Sequence, residues 1–116
     1  MKKKLLDNIV IYYPEGRISN DLAEQFEHQL IQIITIYGDC DLILNMEDVP
    51  SIGSNGIEKL VSVARQMKNE DRIFTICCPK DLTMKIISIL SVGSLITVYS
   101  TEEEAVGELL LDVACV

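Results

Sequence analysis

Between Asp41 and Met67 the chain reads DLILNMEDVPSIGSNGIEKLVSVARQM. Its first part, Asp41-Leu42-Ile43-Leu44-Asn45-Met46, is a short, largely apolar run bounded by turn residues, the pattern of a central strand covered on both faces. Its last part changes period. From Ile57 the apolar positions Leu60, Val61, Ala64 and Met67 form one helical stripe, while Glu58, Lys59, Arg65 and Lys68 face elsewhere. Strand gives way to amphipathic helix across a turn, Ser51-Ile52-Gly53-Ser54-Asn55-Gly56, in which a serine stands between two glycines.

Working outward, the same alternation appears on both sides. Ile9-Val10-Ile11-Tyr12-Tyr13 is β-branched and aromatic and ends at Pro14-Glu15-Gly16, with a weaker strand around Leu5-Leu6 before it, so an N-terminal hairpin is expected. Asp21 with Glu24 has the capping-box offset, and Leu22, Phe26, Leu30, Ile33, Ile34 and Tyr37 recur at helical spacing up to a glycine stop at Gly38. On the other side, Arg72 to Cys78 reads as a strand halted by Pro79, and Leu82, Ile86, Ile87 and Leu90 give a helix. Ser91-Val92-Gly93 breaks the chain before a short strand, Ile96-Thr97-Val98-Tyr99. Thr101 and Glu104 then form a capping box whose acidic first turn suits the helix dipole, and Val106, Leu109, Leu110 and Val113 line a closing helix.

The order β-β-α-β-α-β-α-β-α predicts a small α/β domain: a mixed, largely parallel sheet of four to five strands with four helices and right-handed crossovers. At 116 residues, 48% hydrophobic and 24% charged, the chain fits one domain spanning residues 1–116, with a core large enough to need no disulfide or metal.

Composition also limits the partners. Eighteen acidic residues against ten basic ones give a formal net charge of −8, so the average surface repels a phosphate backbone, and direct nucleic-acid binding is not expected. Lys2-Lys3-Lys4 is read as a solvated terminus. The apolar stretch from Ile86 to Tyr99 is too short to span a membrane and is interrupted by serines and Gly93, and no signal-type region follows the basic N-terminus, so a cytoplasmic location is expected. Cys40, Cys77, Cys78 and Cys115 lack C-x-x-C spacing, and the single histidine, His28, lies in a helix-patterned stretch; no metal site is expected. Cys77 and Cys78 are read as small hydrophobes of a strand.

Ser54 itself has no visible base. G-x-S-x-G is absent, G-S-N-G lacks the lysine and spacing of a phosphate-binding loop, and no G-x-G-x-x-G follows any strand, so neither an enzyme nor a cofactor is expected. Two readings remain for the turn. Ser54 or Asn55 caps the helix, Asn55 with Glu58 having the capping-box offset, while Gly53 and Gly56 serve the turn. Alternatively the helix N-terminus, with its unpaired N–H groups and partial positive charge, tolerates a phosphate on Ser54 that changes the charge of an exposed edge.

The whole arrangement resembles the STAS family, the small domains of bacterial anti-anti-sigma factors. The resemblance runs through a strand entering Gly16-Arg17-Ile18-Ser19, the strand LILNM, the turn VPSIGSNGIEKL, the strand IFTICC and the ending ILSVGSLITVYSTEEEAV. It implies that Ser54 is a phosphoacceptor and that Ser19, Gly53, Ser54, Asn55 and Gly56 form the partner-binding edge. The implied partners are an anti-sigma factor, a histidine-kinase-like ATPase acting as a serine kinase, and a PP2C-type phosphatase that resets the switch. The chain departs from the family pattern at two places: Gly53 stands where an aspartate usually precedes the acceptor, and Gly16-Arg17-Ile18-Ser19 replaces a turn that usually carries a carboxylate. Those departures raise the share of an alternative family role, a phosphorylation-independent scaffold as in stressosome-like assemblies, or an accessory subunit of a lipid transporter.

Overall fold

The computed structural model describes residues 2–89 and 95–114. Strands β1 (Lys3–Leu6) and β2 (Ile9–Tyr12) form an antiparallel hairpin across Asp7 and Asn8, with Asp7 at φ 53°, a left-handed conformation that aspartate tolerates better than most residues. One 3-10 turn, Asn20–Leu22, leads into α1 (Ala23–Ile36). Then follow β3 (Asp41–Asn45), α2 (Ser54–Asn69), β4 (Phe74–Cys77), α3 (Asp81–Ile89), β5 (Thr97–Tyr99) and α4 (Glu102–Ala114). The sheet order is β1-β2-β3-β4-β5, parallel from β2 onward. This is the predicted element order, with five strands and four helices.

Strand alternation divides the core in two. Val10, Tyr12, Leu42, Leu44, Phe74 and Ile76 join the buried side chains of α1 and α2 in the larger cluster. Ile9, Ile11, Ile43 and Cys77 instead meet Ala105 and Leu109 of α4. Residues Leu42 to Asn45 are all buried, as a strand covered on both sides requires. On α2 the buried face comprises Gly56, Ile57, Leu60, Val63, Ala64 and Met67; Val61, assigned to the stripe by spacing, is half-buried and Val63 takes its place.

Three local expectations are corrected. The Asp21–Glu24 capping box does not form: α1 begins at Ala23 after the 3-10 turn, without a side-chain cap, and Leu22 is 45% exposed instead of lining the core. The tight turn, closed by Leu22 N–H donating to the Ser19 carbonyl, leaves the stretch before α1 too short for a helical cap. The end of α1 does not rest on a glycine conformation either. Among the described residues the glycine with positive φ is Gly16, whereas α1 stops at Ile36 and the carbonyl of its C-cap residue, Tyr37, accepts from Arg72 and from the Cys40 N–H. Finally, β4 starts at Phe74, not Arg72, because Arg72 belongs to the closure of α2. Asp71 at φ 57° ends that helix, its N–H donating to the Lys68 carbonyl and the Arg72 N–H to the Met67 carbonyl, a Schellman motif built without glycine. The predicted break at Ser91-Val92-Gly93, the helix position Leu90 and Cys115 lie outside the described residues.

Candidate functional site: the Ser54 turn

The loops that follow β2 and β3 extend their pairing past the strand ends. Gly16 N–H donates to the Asp48 carbonyl at 2.9 Å, Ile18 N–H to Ser51 at 3.0 Å, and Gly53 N–H returns to the Ile18 carbonyl at 2.8 Å. Ile18 and Ile52 make a parallel bridge. Gly16, at φ +84°, turns the first loop where a side chain would be strained. The second loop thus reaches α2 on a fixed path.

Ile18 and Ile52 are both buried and form the floor of the turn. Gly56 rests on them: a Cβ there would lie 2.7 Å from Ile52 Cγ1 and 3.2 Å from Ile18 Cγ2. Close backbone approach explains this glycine. It also puts Gly56 beneath the surface, whereas Ser19, Ser54 and Asn55 are exposed and Gly53 is half-buried. Four of the five residues predicted for a binding edge therefore share an accessible face, and the fifth supports them from inside.

Neither Ser54 nor Asn55 caps α2. The N-cap residue is Gly53, in extended conformation with φ −78° and ψ 169°, and it has no side chain to offer. The cap comes from elsewhere in the chain: Asn20 Oδ1, in the 3-10 turn before α1, accepts the Asn55 N–H at 3.1 Å. That carbonyl oxygen satisfies one of the four donors a helix start leaves open, at the position an N-cap side chain would normally serve. A Cβ on Gly53 would collide with Asn20 Oδ1 and lie 3.1 Å from its Cγ. Ser54, as the first helical residue, is left exposed, and no protein group takes its hydroxyl among the described residues.

The same carboxyl end of the sheet carries a second polar group on the α4 side, which spacing did not reveal. Asn45, 5% exposed at the end of β3, donates from Nδ2 to Glu102 Oε1 at 3.1 Å and accepts the Glu47 N–H at 2.9 Å. The Tyr13 hydroxyl also donates to Glu102, so burial first and that carboxylate second push its pKa well above the ordinary tyrosine value. Thr101 Oγ1 accepts the Glu104 N–H at 3.1 Å, forming the predicted cap of α4. Among the described residues no group of three His, Cys, Asp or Glu side chains is placed to hold a metal.

Cys77 is fully buried against Ile9, Ile11 and Ile43, the small-hydrophobe role expected for it. Cys78 departs from the strand: it is half-buried at φ 57°, and its N–H donates to the Tyr99 carbonyl. Burial drives the Cys77 thiol well above its ordinary value of 9.0, with Cys78 and Glu102 acting in the same direction. Unfolded Cys77 therefore ionises near that value while the folded thiol stays protonated, so the unfolded state binds fewer protons and stability falls as pH rises. Urea midpoints should be level from about pH 7 to about pH 8 and decline above about pH 9. Cys77→Val should reduce that decline; an unchanged decline would assign it to other groups.

The fold and turn together define a class: a mixed, largely parallel α/β domain that presents an exposed serine at a helix start. A model of the family described as STAS domain matches residues 1–105. The chain belongs to the STAS domain family. A candidate anti-sigma factor antagonist of Thermotoga neapolitana, a TM1081 homolog, is 22% identical over 105 residues, covering 90% of this chain and 93% of its own. Among solved structures, a candidate anti-sigma factor antagonist (TM1081) of Thermotoga maritima is similar with a TM-score of 0.82 at 21% identity, with 92% of each chain covered. The phosphorylated form of the Bacillus cell fate determinant SpoIIAA gives a TM-score of 0.70 at 17% identity, over 93% of this chain and 97% of that one. The STAS domain of a Vibrio cholerae SulP transporter gives 0.72 at 20%, over 97% and 89%. Likeness at this level concerns the fold, which is shared by regulators and transporter domains alike. No described helix is long and apolar enough to cross a membrane.

Proposed function

We propose that the protein is a non-catalytic binding regulator of the anti-sigma factor antagonist type, switched by phosphorylation of Ser54. The observation that carries this reading is the placement of Ser54: exposed, at the first position of α2, with its hydroxyl unclaimed by the protein among the described residues. A phosphate there adds nearly two negative charges to a surface without entering the core, and a partner docking on Ser19, Gly53, Ser54 and Asn55 loses charge complementarity. The floor of Ile18, Ile52 and Gly56 keeps the edge in place in both states. The partner is an anti-sigma factor that is itself a histidine-kinase-like serine kinase, and a PP2C-type phosphatase restores the unmodified form. A cytoplasmic location follows from such partners.

Support comes from the family, from the relative named as an anti-sigma factor antagonist, and from the similar fold of a protein solved in a phosphorylated form. The test is intact mass with site mapping on protein taken from its native cells, with a phosphatase-treated control. One phosphate on Ser54 is the expected result. Unmodified protein across growth and stress conditions would replace this reading with a permanent module of a larger assembly or a transporter.

A further inference from the structure

The start of α2 carries a glycine where a side-chain cap would ordinarily stand. Gly53 holds the N-cap position, where an aspartate, asparagine or serine side chain would ordinarily accept the N–H of the second or third helical residue. The Asn20 amide occupies that space instead, its Oδ1 on the Asn55 N–H and so close to Gly53 that no Cβ fits. Asn20 and Gly53 are thus a single device, a cap supplied from the turn before α1, and it touches both chain neighbours of Ser54. We propose that Asn20 is the positioning residue of the Ser54 site: it fixes the first turn of α2 in place of a residue-53 side chain, and it does so with a neutral group, so that a phosphate on Ser54 meets no carboxylate at the cap.

Neutrality is what separates asparagine from the equally good capping residue aspartate. Both oxygens of a carboxylate only accept, and the charge repels a phosphate a few ångströms away. An amide can accept through Oδ1 in the unmodified protein and turn its Nδ2 toward a phosphate in the modified one. The charged side chains nearest in sequence are Arg17 and Asp21, on either side of Asn20, and Glu58, one turn into α2; all are exposed, and among the described residues none bonds to the cap. Changing residue 20 therefore changes the charge at the cap while leaving its flanks as they are. This inference rests on Ser54 as the acceptor, so its test supplies the phosphate independently of any cellular kinase.

The experiment uses the full chain with phosphoserine installed at position 54 during translation, in the parent, Asn20→Ala and Asn20→Asp backgrounds, together with the three unmodified counterparts. Without phosphate, Asn20→Ala should melt lower by about 4 °C through loss of the cap, and Asn20→Asp should melt within about 2 °C of the parent because it caps equally well. With phosphate, the phosphorus resonance followed against pH should place the second ionisation of phosphoserine higher in Asn20→Asp than in the parent by about half a pH unit, since one unit charge about 5 Å away in a largely aqueous setting has that effect. Gly53→Asp should compete with Asn20 for the cap, and the double variant Gly53→Asp with Asn20→Ala should regain the melting temperature lost in Asn20→Ala alone.

A phosphoserine ionisation that is the same in the parent and Asn20→Asp would overturn the proposal, as would a double variant no more stable than Asn20→Ala. Either result would leave the phosphorylation reading itself untouched, since that is decided by mass analysis of native protein.

Discussion

Replacing Arg72 with alanine should cost about 3 kcal/mol of folding stability, a large loss for a charged side chain remote from Ser54. Arg72 is 8% exposed, and its guanidinium donates from Nη2 to the Tyr37 carbonyl and from Nε to the Cys40 carbonyl, both at 2.7 Å. Those carbonyls belong to the C-cap of α1 and to the connection into β3, beyond the reach of helical i to i−4 bonds. The third bond, Nη1 to Glu70 Oε1 at 2.9 Å, has a partner whose side chain is 45% exposed and adds little. What matters is the pair of carbonyls: with alanine the Tyr37 oxygen keeps only the Cys40 N–H at 2.9 Å, and the Cys40 oxygen loses its guanidinium partner beside a vacated space. Arg72→Lys should recover less than half of the loss, since one ammonium cannot reproduce the fork. Urea unfolding at neutral pH provides the measure, and a loss under about 1 kcal/mol would mean that water replaces the guanidinium without penalty.

The second large effect concerns binding. Ser54→Asp should weaken capture of the anti-sigma kinase at least tenfold, about 1.4 kcal/mol, while Ser54→Ala should bind as the parent does and accept no phosphate. The asymmetry follows from exposure: the hydroxyl makes no bond within the described protein, so its removal leaves nothing unsatisfied, whereas a carboxylate must be desolvated when the partner docks. Titration calorimetry against the kinase recovered from the same cells decides it. Equal affinity for all three forms would remove Ser54 from the interface, and equal loss in both variants would make the hydroxyl itself a contact.

How much of this was legible in the sequence depends on the range of the interaction. Period-two and period-3.6 patterns are local, and the element order followed from them, including a central strand whose apolar run has no polar face. The Thr101 cap also read correctly, because acceptor and donor are three residues apart. The Ser54 turn could not be read the same way. Its cap is 35 residues distant, and nothing in Asn20-Asp21-Leu22 distinguishes an asparagine that reaches across to α2 from one that opens α1. Two local candidates, Asp21 with Glu24 and Asn55 with Glu58, had the right offsets but lost to tertiary geometry. Arg72 was hidden for a similar reason: a charged residue ahead of an apolar run looks like the start of a strand, and the left-handed Asp71 beside it carries no glycine to announce a helix end. Gly56 is a milder case, where the residue type was informative but its burial came from Ile18, contributed by the other loop.

The hairpin has a consequence for the molecule in crowded solution. The sheet ends at β1 on one side and at the three-residue β5 on the other, so β1 is the longer open margin. Among the described residues no further strand pairs with it, and Lys3 and Lys4 stand exposed along it beside the exposed Leu5. Two such strands meeting antiparallel would bring ammonium groups toward one another, and every further molecule would add to the repulsion. The lysines that look like an idle terminus in the sequence thus lie along that margin as a charged hem, and a copy joining there edge to edge would meet like charge.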